Sequence, residues 1–157
     1  MPVRPVIRAG KHDDSATMYF CTFTCYQWLP LFQEVNGYDM VYNWFDHLKK
    51  DEQHPVAFVI MPNHLHVILY FPNAGFDLNE IIGNAKRFMA YEIIKCLKQL
   101  GRNNILDSLA EPVSIREKKK GQLHKVFEES FDAKAINNSR FFNQKFNYIH
   151  RNPVSGK

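Results

Sequence analysis

Two histidines stand one residue apart in an apolar segment, and their spacing indicates metal chemistry. His64 and His66 occupy positions i and i+2 within residues 56–70. On a β-strand this spacing places both imidazoles on one face, while the interleaved apolar residues point to the opposite, buried face. Two adjacent imidazoles can provide two ligands to one divalent cation. The simpler alternative is a pair of histidines on the polar side of a strand, satisfied by water or neighbouring groups.

A tyrosine and an asparagine near the C-terminus form a second group with chemical potential. Tyr148 and Asn152 are four residues apart, so on a helix one lies above the other. A phenol oxygen attacks phosphorus when a base or a metal activates it. An amide oxygen is also an acceptable ligand for a hard divalent cation. On spacing alone, a partly buried structural tyrosine and a helix-capping asparagine before Pro153 are the simpler interpretations.

Three strands are predicted around the histidines. Residues 17–25 are rich in aromatic and β-branched types, which favour a strand. Two further strands, residues 56–61 and 64–70, flank Pro62-Asn63, and this dipeptide is typical of a turn. The chain therefore predicts a hairpin that carries the histidines just beyond its turn.

Two helices with apolar stripes are predicted on either side of this hairpin. Residues 38–50 and 78–100 both show apolar residues at helical spacing, and Gly101 follows the second helix. Residues 101–122 contain three consecutive lysines and predict a mobile basic loop. Contact with DNA and simple solvation of the charges are both open for this loop.

The C-terminal part predicts one more strand and a final helix. Residues 123–128 and 131–136 are candidates for a strand or a short hairpin. The helix follows capping residues at 137–139 and is expected to end at Arg151, because Pro153 disfavours helix at the residue before it. Its core-facing residues are expected to be Phe142, Phe146 and Ile149, and the adjoining stripe carries Phe141, Lys145, Tyr148 and Asn152.

This order of elements predicts an α+β fold. It corresponds to the ferredoxin-like βαββαβ plan, an antiparallel sheet with helices on one face, plus a C-terminal helix that carries the tyrosine. The chain of 157 residues, 45% of them hydrophobic, is long and apolar enough for one domain with its own core. We expect a single domain over residues 1–157, with residues 1–15 as a loose N-terminal arm.

Charge and cysteine content limit the partners and the compartment. The net charge of +4 is compatible with an anionic partner and equally with a mildly basic soluble protein. Cys21 and Cys25 on a strand would lie roughly 13 Å apart, too far for a disulfide. Three cysteines without zinc-site spacing are typical of a reducing compartment, so we expect a cytoplasmic protein. No apolar run approaches the ~20 residues of a membrane span, and the N-terminus lacks the apolar core of a signal peptide.

Two sequence motifs contain these candidate groups. The first, Val-Ile-Met-Pro-Asn-His-Leu-His-Val-Ile-Leu, covers residues 59–69. The second, Tyr-Ile-His-Arg-Asn-Pro-Val, covers residues 148–154. Together they resemble the motifs of the single-tyrosine HUH transposases, most of all of their REP-associated tyrosine transposase branch. The early aromatic strand and the helix containing Lys86-Arg87-Phe88 also fit the family, so the resemblance extends over most of residues 17–154.

The resemblance implies a metal-dependent enzyme that cleaves and rejoins single-stranded or hairpin DNA. By carry-over, His64 and His66 would hold Mg²⁺ or Mn²⁺, with Asn152 as the third ligand. Tyr148 would attack the scissile phosphate to give a 5′-phosphotyrosine link and a free 3′-hydroxyl. A 3′-hydroxyl on another strand can attack this link and rejoin DNA. Both a homodimer and a monomer agree with the resemblance.

Basic side chains are expected to contact the DNA phosphates, and exposed aromatic rings to stack on unpaired bases. The candidates for phosphate contact are Lys86, Arg87, Lys118, Lys119, Lys120, Lys125 and Lys145. Two other functions remain open. One is a catalytically silent nucleic-acid-binding module on the same scaffold, and the other is a metal-dependent phosphodiesterase that uses water.

Overall fold

A four-stranded antiparallel sheet forms the centre of the molecule. The computed structural model describes residues 17–129 and 131–155, so the predicted arm at residues 1–15 lies outside the described part. The strands are β1 (Met18–Thr24), β2 (His54–Met61), β3 (His64–Tyr70) and β4 (Asp132–Ala135). Their order across the sheet is β2-β3-β1-β4. This strand order and its connections confirm the ferredoxin-like plan.

Six α-helices are formed by the described residues, and a short 3-10 turn, Tyr26–Trp28, follows β1. The helices are α1 (Leu31–Glu34), α2 (Tyr38–Lys50), α3 (Leu78–Gln99), α4 (Asn103–Ala110), α5 (Ile115–Lys119) and α6 (Ser139–Ser155). The Asp77 carboxylate caps α3 by accepting the Glu80 N–H. Among these helices, none combines the length and the apolar character needed to cross a bilayer.

The two faces of the sheet are covered by different helices. Alternate residues of β1 and β3, including Phe23 and Val67, point into the main core, where α2 and α3 pack. The other alternate residues, including Phe20 and Ile68, meet Ile149 of α6 in a second, smaller apolar cluster. The predicted division of β3 into two faces is confirmed, and its histidines lie on the face that α6 covers.

The turn between β2 and β3 is held from both sides by backbone hydrogen bonds. The Pro62 carbonyl accepts the Phe32 N–H of α1 at 3.0 Å, and the Asn63 carbonyl accepts the Cys25 N–H at 2.9 Å. The turn itself matches the predicted Pro62-Asn63 dipeptide. These anchors fix the start of β3, and therefore the position of His64, relative to β1 and α1.

The segment predicted as a mobile basic loop, residues 101–122, instead contains α4 and α5. Leu109 of α4 is fully buried and Leu106 is nearly so. Ser114 and Glu117 form a reciprocal capping box at the start of α5. The prediction was wrong because the amphipathic pattern of α4 spans only eight residues, and its leucines become buried only through tertiary packing.

The C-terminal elements differ from the prediction in three details. The helix α6 continues to Ser155 rather than ending at Arg151, because a proline disfavours the preceding helical residue without forbidding it. Phe146, expected in the core, is 40% exposed, since its part of α6 lies outside the contact with the sheet. Residues 123–128 add only an isolated bridge, between Cys25 and Phe127, and not a full strand.

Candidate active site

The two histidines of β3 lie side by side between the sheet and α6. Their ring centroids are 4.6 Å apart, with the rings nearly perpendicular. His66 is buried, whereas His64 is half-buried at the end of the strand. The sheet register places Thr22 opposite His66 and Thr24 opposite His64, so β1 supports both residues directly.

Oxygen atoms contact the Nδ1 nitrogen of both rings. The Asn63 Oδ1 lies 2.6 Å from the His64 Nδ1, and the Thr22 Oγ1 lies 2.6 Å from the His66 Nδ1. Because an amide oxygen can only accept, the His64 ring donates from Nδ1 and carries its lone pair on Nε2. An oxygen partner on one ring nitrogen is the usual arrangement for a metal-binding histidine, because it orients the other nitrogen.

The protonation of His64 favours ligand chemistry. Burial lowers the pKa of His64 below its ordinary value, because removal from water disfavours the charged imidazolium. The ring is therefore held in the neutral form at neutral pH. Neutral imidazole is the form that coordinates metal ions.

Helix α6 brings Tyr148 to the histidines. The Tyr148 ring centroid lies 5.2 Å from that of His66 and 6.2 Å from that of Phe20. Ile149, the next residue, is buried against the sheet and fixes this part of α6. Tyr148 itself remains 48% exposed. A phenol therefore lies beside a histidine pair that is distant in the sequence, and it remains accessible from solvent.

A lysine ammonium lies over the aromatic side chains that surround Tyr148. The Lys145 Nζ is 4.9 Å from the centre of the Phe20 ring and 5.8 Å from that of Tyr148. Both contacts lie within the range of cation–π attraction. Partial burial and, to a smaller extent, Lys134 lower the pKa of Lys145, while Asp132 acts in the opposite direction. This arrangement places a positive charge one helical turn before Tyr148.

The residues at the site fit a divalent cation that accepts both nitrogen and oxygen. Asn152 lies one turn beyond Tyr148 on α6 and is partly buried. No cluster of three histidine, cysteine or acidic side chains suited to a metal occurs among the described residues. The available donors are therefore His64 and His66, with the Asn152 amide oxygen as the candidate third ligand. Such a mixed set suits Mn²⁺ or Mg²⁺ better than a structural zinc.

Four of the predicted DNA-contacting residues lie together, away from the histidines. Lys86, Arg87, Lys120 and Lys125 line one groove of about 610 Å³ between α3 and residues 120–129. Lys118 and Lys119 are exposed on α5, which leads into this segment. Lys145 is separate, beside Tyr148.

Lys86 has a structural partner inside the groove. Its Nζ donates to the Glu128 carbonyl at 2.6 Å and to the Glu129 carbonyl at 3.4 Å. Burial lowers the pKa of Lys86 to about 8, and the nearby Glu128 and Glu129 charges oppose this shift. Lys86 therefore connects α3 to residues 128–129. Its contact with DNA phosphates stays a prediction.

The cysteines are not part of the site. Cys21 and Cys25 are buried in the main core, on the sheet face opposite the histidines, and all three cysteines are free thiols. Burial raises the pKa of Cys21 and raises that of Cys25 to about 12. Both are therefore protonated and unreactive at neutral pH.

Two residues at the site were missed by sequence reasoning. Thr22 contacts His66, and Trp28 places its ring centroid 5.9 Å from that of His64. The aromatic strand pattern identified β1 but not its register against β3, so nothing linked Thr22 to His66. Trp28 lies in a connection whose course cannot be read from periodicity.

The fold has counterparts among solved structures. No protein-family model matches the chain, and none of the curated proteins matches it. The structure of the REP-associated tyrosine transposase bound to a REP hairpin is similar, with a TM-score of 0.62, 18% identity, and coverage of 98% of this chain and 72% of that one. A candidate transposase from Deinococcus radiodurans R1 gives a TM-score of 0.53 at 12% identity, covering 92% and 97%. The chain therefore has the fold of the tyrosine transposases, as its motifs predict.

Proposed function

We propose that this protein is a metal-dependent transposase that cleaves and rejoins single-stranded or hairpin DNA through a 5′-phosphotyrosine intermediate. The observation that carries the proposal is the contact of Tyr148 on α6 with His66 on β3, whose ring in turn contacts that of His64. The tyrosine-transposase fold supports the same function. Neither a structural tyrosine nor two solvated histidines would require this juxtaposition.

The chain's own residues then have distinct roles. The two imidazoles and the Asn152 amide oxygen would hold Mg²⁺ or Mn²⁺, and the cation would supply polarisation of the scissile phosphate and neutralisation of its charge. The Tyr148 hydroxyl loses its proton as its oxygen bonds to phosphorus, and the bond from phosphorus to the 3′ oxygen breaks. The departing 3′ oxygen takes up one proton and leaves as a hydroxyl, so no net proton is gained or lost. Attack by a 3′-hydroxyl on the tyrosine link reverses these bond changes and rejoins DNA. Lys145 supplies positive charge beside the phenol, where it favours an anionic oxygen.

Recognition of DNA is assigned to positive charge outside the reacting centre. The groove with Lys86, Arg87, Lys120 and Lys125 presents several cations on one surface, which suits a polyanionic backbone. Lys118 and Lys119 extend this surface along α5. Sequence-independent phosphate contacts of this kind predict an affinity that falls steeply with added salt.

The test is the formation of a covalent protein–DNA adduct. Purified protein is mixed with a labelled stem–loop oligonucleotide taken from the flanks of its gene, with and without Mn²⁺, and separated on a denaturing gel. We expect a metal-dependent band of retarded mobility. Tyr148→Phe removes only the attacking oxygen, so it should abolish the band while DNA binding in a native gel is retained. Tyr42→Phe, at an exposed tyrosine of α2 that does not line the basic groove, is the matched control and should form the adduct normally.

Each alternative gives a different result in the same experiment. Metal-dependent nicking without a protein-linked product would indicate a phosphodiesterase that uses water. Tight binding with neither nicking nor adduct would indicate a silent nucleic-acid-binding module. An adduct that persists in Tyr148→Phe would overturn the assignment of the nucleophile.

A further inference from the structure

Trp28 is an exposed aromatic side chain at the edge of the histidine site. Its ring meets the edge of the His64 ring at a centroid distance of 5.9 Å, and the residue is 42% exposed. The other tryptophan, Trp44, is buried in the main core. The exposed indole is therefore available to a ligand that binds beside His64.

The backbone around Trp28 is held in an unusual conformation. Gln27 and Trp28 have φ angles of 51° and 59°, in the left-handed region that residues with a Cβ rarely adopt. Two such residues in succession persist only where the surroundings enforce them, and they are concentrated at functional sites. Asn36 and Glu52 also have positive φ angles, but among the described residues only Gln27 and Trp28 adopt them in succession.

Three contacts enforce this conformation. The Glu128 carboxylate accepts the Gln27 N–H at 2.8 Å. The Cys25 carbonyl accepts the Trp28 N–H at 3.0 Å, and the Asn63 side-chain amide donates to the Trp28 carbonyl at 3.4 Å. Asn63 also contacts the His64 Nδ1 through its other amide atom. One side chain, that of Asn63, therefore contacts both the Trp28 backbone and the His64 ring.

We propose that Trp28 is a stacking platform for one unpaired DNA base next to the phosphate that is bound at His64. This inference rests on the proposed function, and it names the side chain that orders the strand at the reacting centre. An exposed indole offers a flat apolar surface to any base, and stacking of this kind requires no particular sequence. A rigid backbone lowers the entropy lost when the base binds.

Glu128 adds a connection to the basic groove. Its carboxylate accepts a hydrogen bond from the Gln27 N–H, and its backbone carbonyl accepts one from the Lys86 Nζ in the groove. The platform therefore lies between the histidines and the surface assigned to the DNA backbone. A single strand could pass from Tyr148 over Trp28 and continue into the groove.

The experiment combines substitution of the protein with removal of single bases from the DNA. Binding is measured in the Tyr148→Phe background, which prevents cleavage, with the stem–loop oligonucleotide and a series carrying one abasic site at each unpaired position. We expect Trp28→Ala to weaken binding of the intact oligonucleotide by about 5- to 100-fold. An abasic site at one particular position should weaken binding by a similar factor when the protein retains Trp28. The same abasic site should not weaken binding further when the protein carries Trp28→Ala.

The controls separate stacking from folding. Trp28→Phe keeps a ring and should retain most of the affinity. Tyr42→Ala removes an aromatic residue of similar exposure, 46%, on α2, and should bind as the parent protein does. In a Trp44→Phe variant Trp28 is the only tryptophan, so its fluorescence should be quenched when the intact oligonucleotide binds.

Several outcomes would overturn the platform. If every abasic position affects Trp28 and Trp28→Ala proteins equally, or if Trp28→Ala changes only Mn²⁺ affinity, then Trp28 does not stack on a base. Failure of the proposed function looks different. In that case the parent protein forms no adduct with Tyr148 present, while the coupling between Trp28 and one base persists.

Discussion

The contacts of individual side chains explain how a histidine pair on a strand becomes a candidate metal site. Any strand with this spacing would place His64 and His66 on one face. In this protein Asn63 and Thr22 additionally contact the Nδ1 atoms, which orients the rings. Thr22 is buried, so its hydroxyl has little alternative contact with water. We therefore assign Thr22 a positioning role towards His66.

The substitution Thr22→Val tests this role. It keeps the shape of the side chain and removes the hydroxyl, so the His66 ring loses the contact that orients it. We expect the dissociation constant for Mn²⁺, measured by titration calorimetry, to rise by about 10-fold. Thr22→Ser restores the hydroxyl and should recover most of the affinity. Equal Mn²⁺ affinity in the valine and parent proteins would show that the hydroxyl does not position the ring.

At the scale of elements, α4 is the clearest difference from the predicted basic loop. Leu109 is fully buried against the main core, whereas Ile115 at the start of α5 is 76% exposed. A mobile loop would leave both side chains in water. In the folded protein the two residues should therefore differ strongly in their effect on stability.

Leu109→Ala should lower the free energy of unfolding by about 2–5 kcal/mol, because it leaves a cavity in the core. Urea denaturation followed by circular dichroism measures the change. Ile115→Ala is the matched control and should alter stability by less than about 0.5 kcal/mol. Similar small effects of both substitutions would mean that α4 does not pack as described.

Lys86 connects α3 to residues 128–129 and makes stability depend on pH. Burial lowers its pKa in the folded protein to about 8, below the ordinary lysine value of 10.5. Between these pH values the unfolded chain binds more protons than the folded one, so this lysine makes the free energy of unfolding rise with pH. The rise is at most about 1.4 kcal/mol per pH unit. The rise in the free energy of unfolding begins near the pKa of Lys86 in the folded protein. It is complete above the pKa of this lysine in the unfolded chain.

Lys86→Met removes this dependence. The free energy of unfolding of the parent protein should rise relative to that of Lys86→Met as the pH increases from about 8 to about 10.5. Urea denaturation at several pH values measures both proteins. Lys50→Met, at an exposed lysine of α2, should follow the parent curve. A constant difference between the parent and Lys86→Met curves would contradict the assigned pKa.

At the scale of the whole molecule, the candidate site joins two distant parts of the chain. The histidines belong to a strand inside the sheet, and Tyr148 and Asn152 belong to the helix that closes the second face. A cation bound by both parts would connect α6 to the sheet. Binding to the folded state alone must then raise the stability of the whole domain.

Mn²⁺ should therefore raise the free energy of unfolding, by about 2.7 kcal/mol at a concentration 100 times its dissociation constant. Thermal unfolding with and without Mn²⁺ measures the increase. His64→Ala should abolish it, whereas His54→Ala, at an exposed histidine of β2, should leave it unchanged. An equal increase in both variants would place the stabilising ion elsewhere.

Local patterns in the sequence were sufficient for most of the fold. Alternating apolar residues identified β3 and the face on which His64 lies, and apolar stripes identified α2 and α3. These patterns succeed because the pleat of a strand and the pitch of a helix fix which residues share a face. The spacing of Tyr148 and Asn152 on α6 follows from the same geometry.

Only the tertiary structure decided which of these local features meet. The register of β1 against β3 sets Thr22 beside His66, and the docking of α6 through Ile149 brings Tyr148 to the same ring. The positive φ angles that present Trp28 depend on partners far away in the chain, such as Glu128. Such contacts are set by the packing of the whole domain, and sequence spacing carries no information about them. The sequence therefore determined the candidate reactive groups, while long-range packing determined the site that they form.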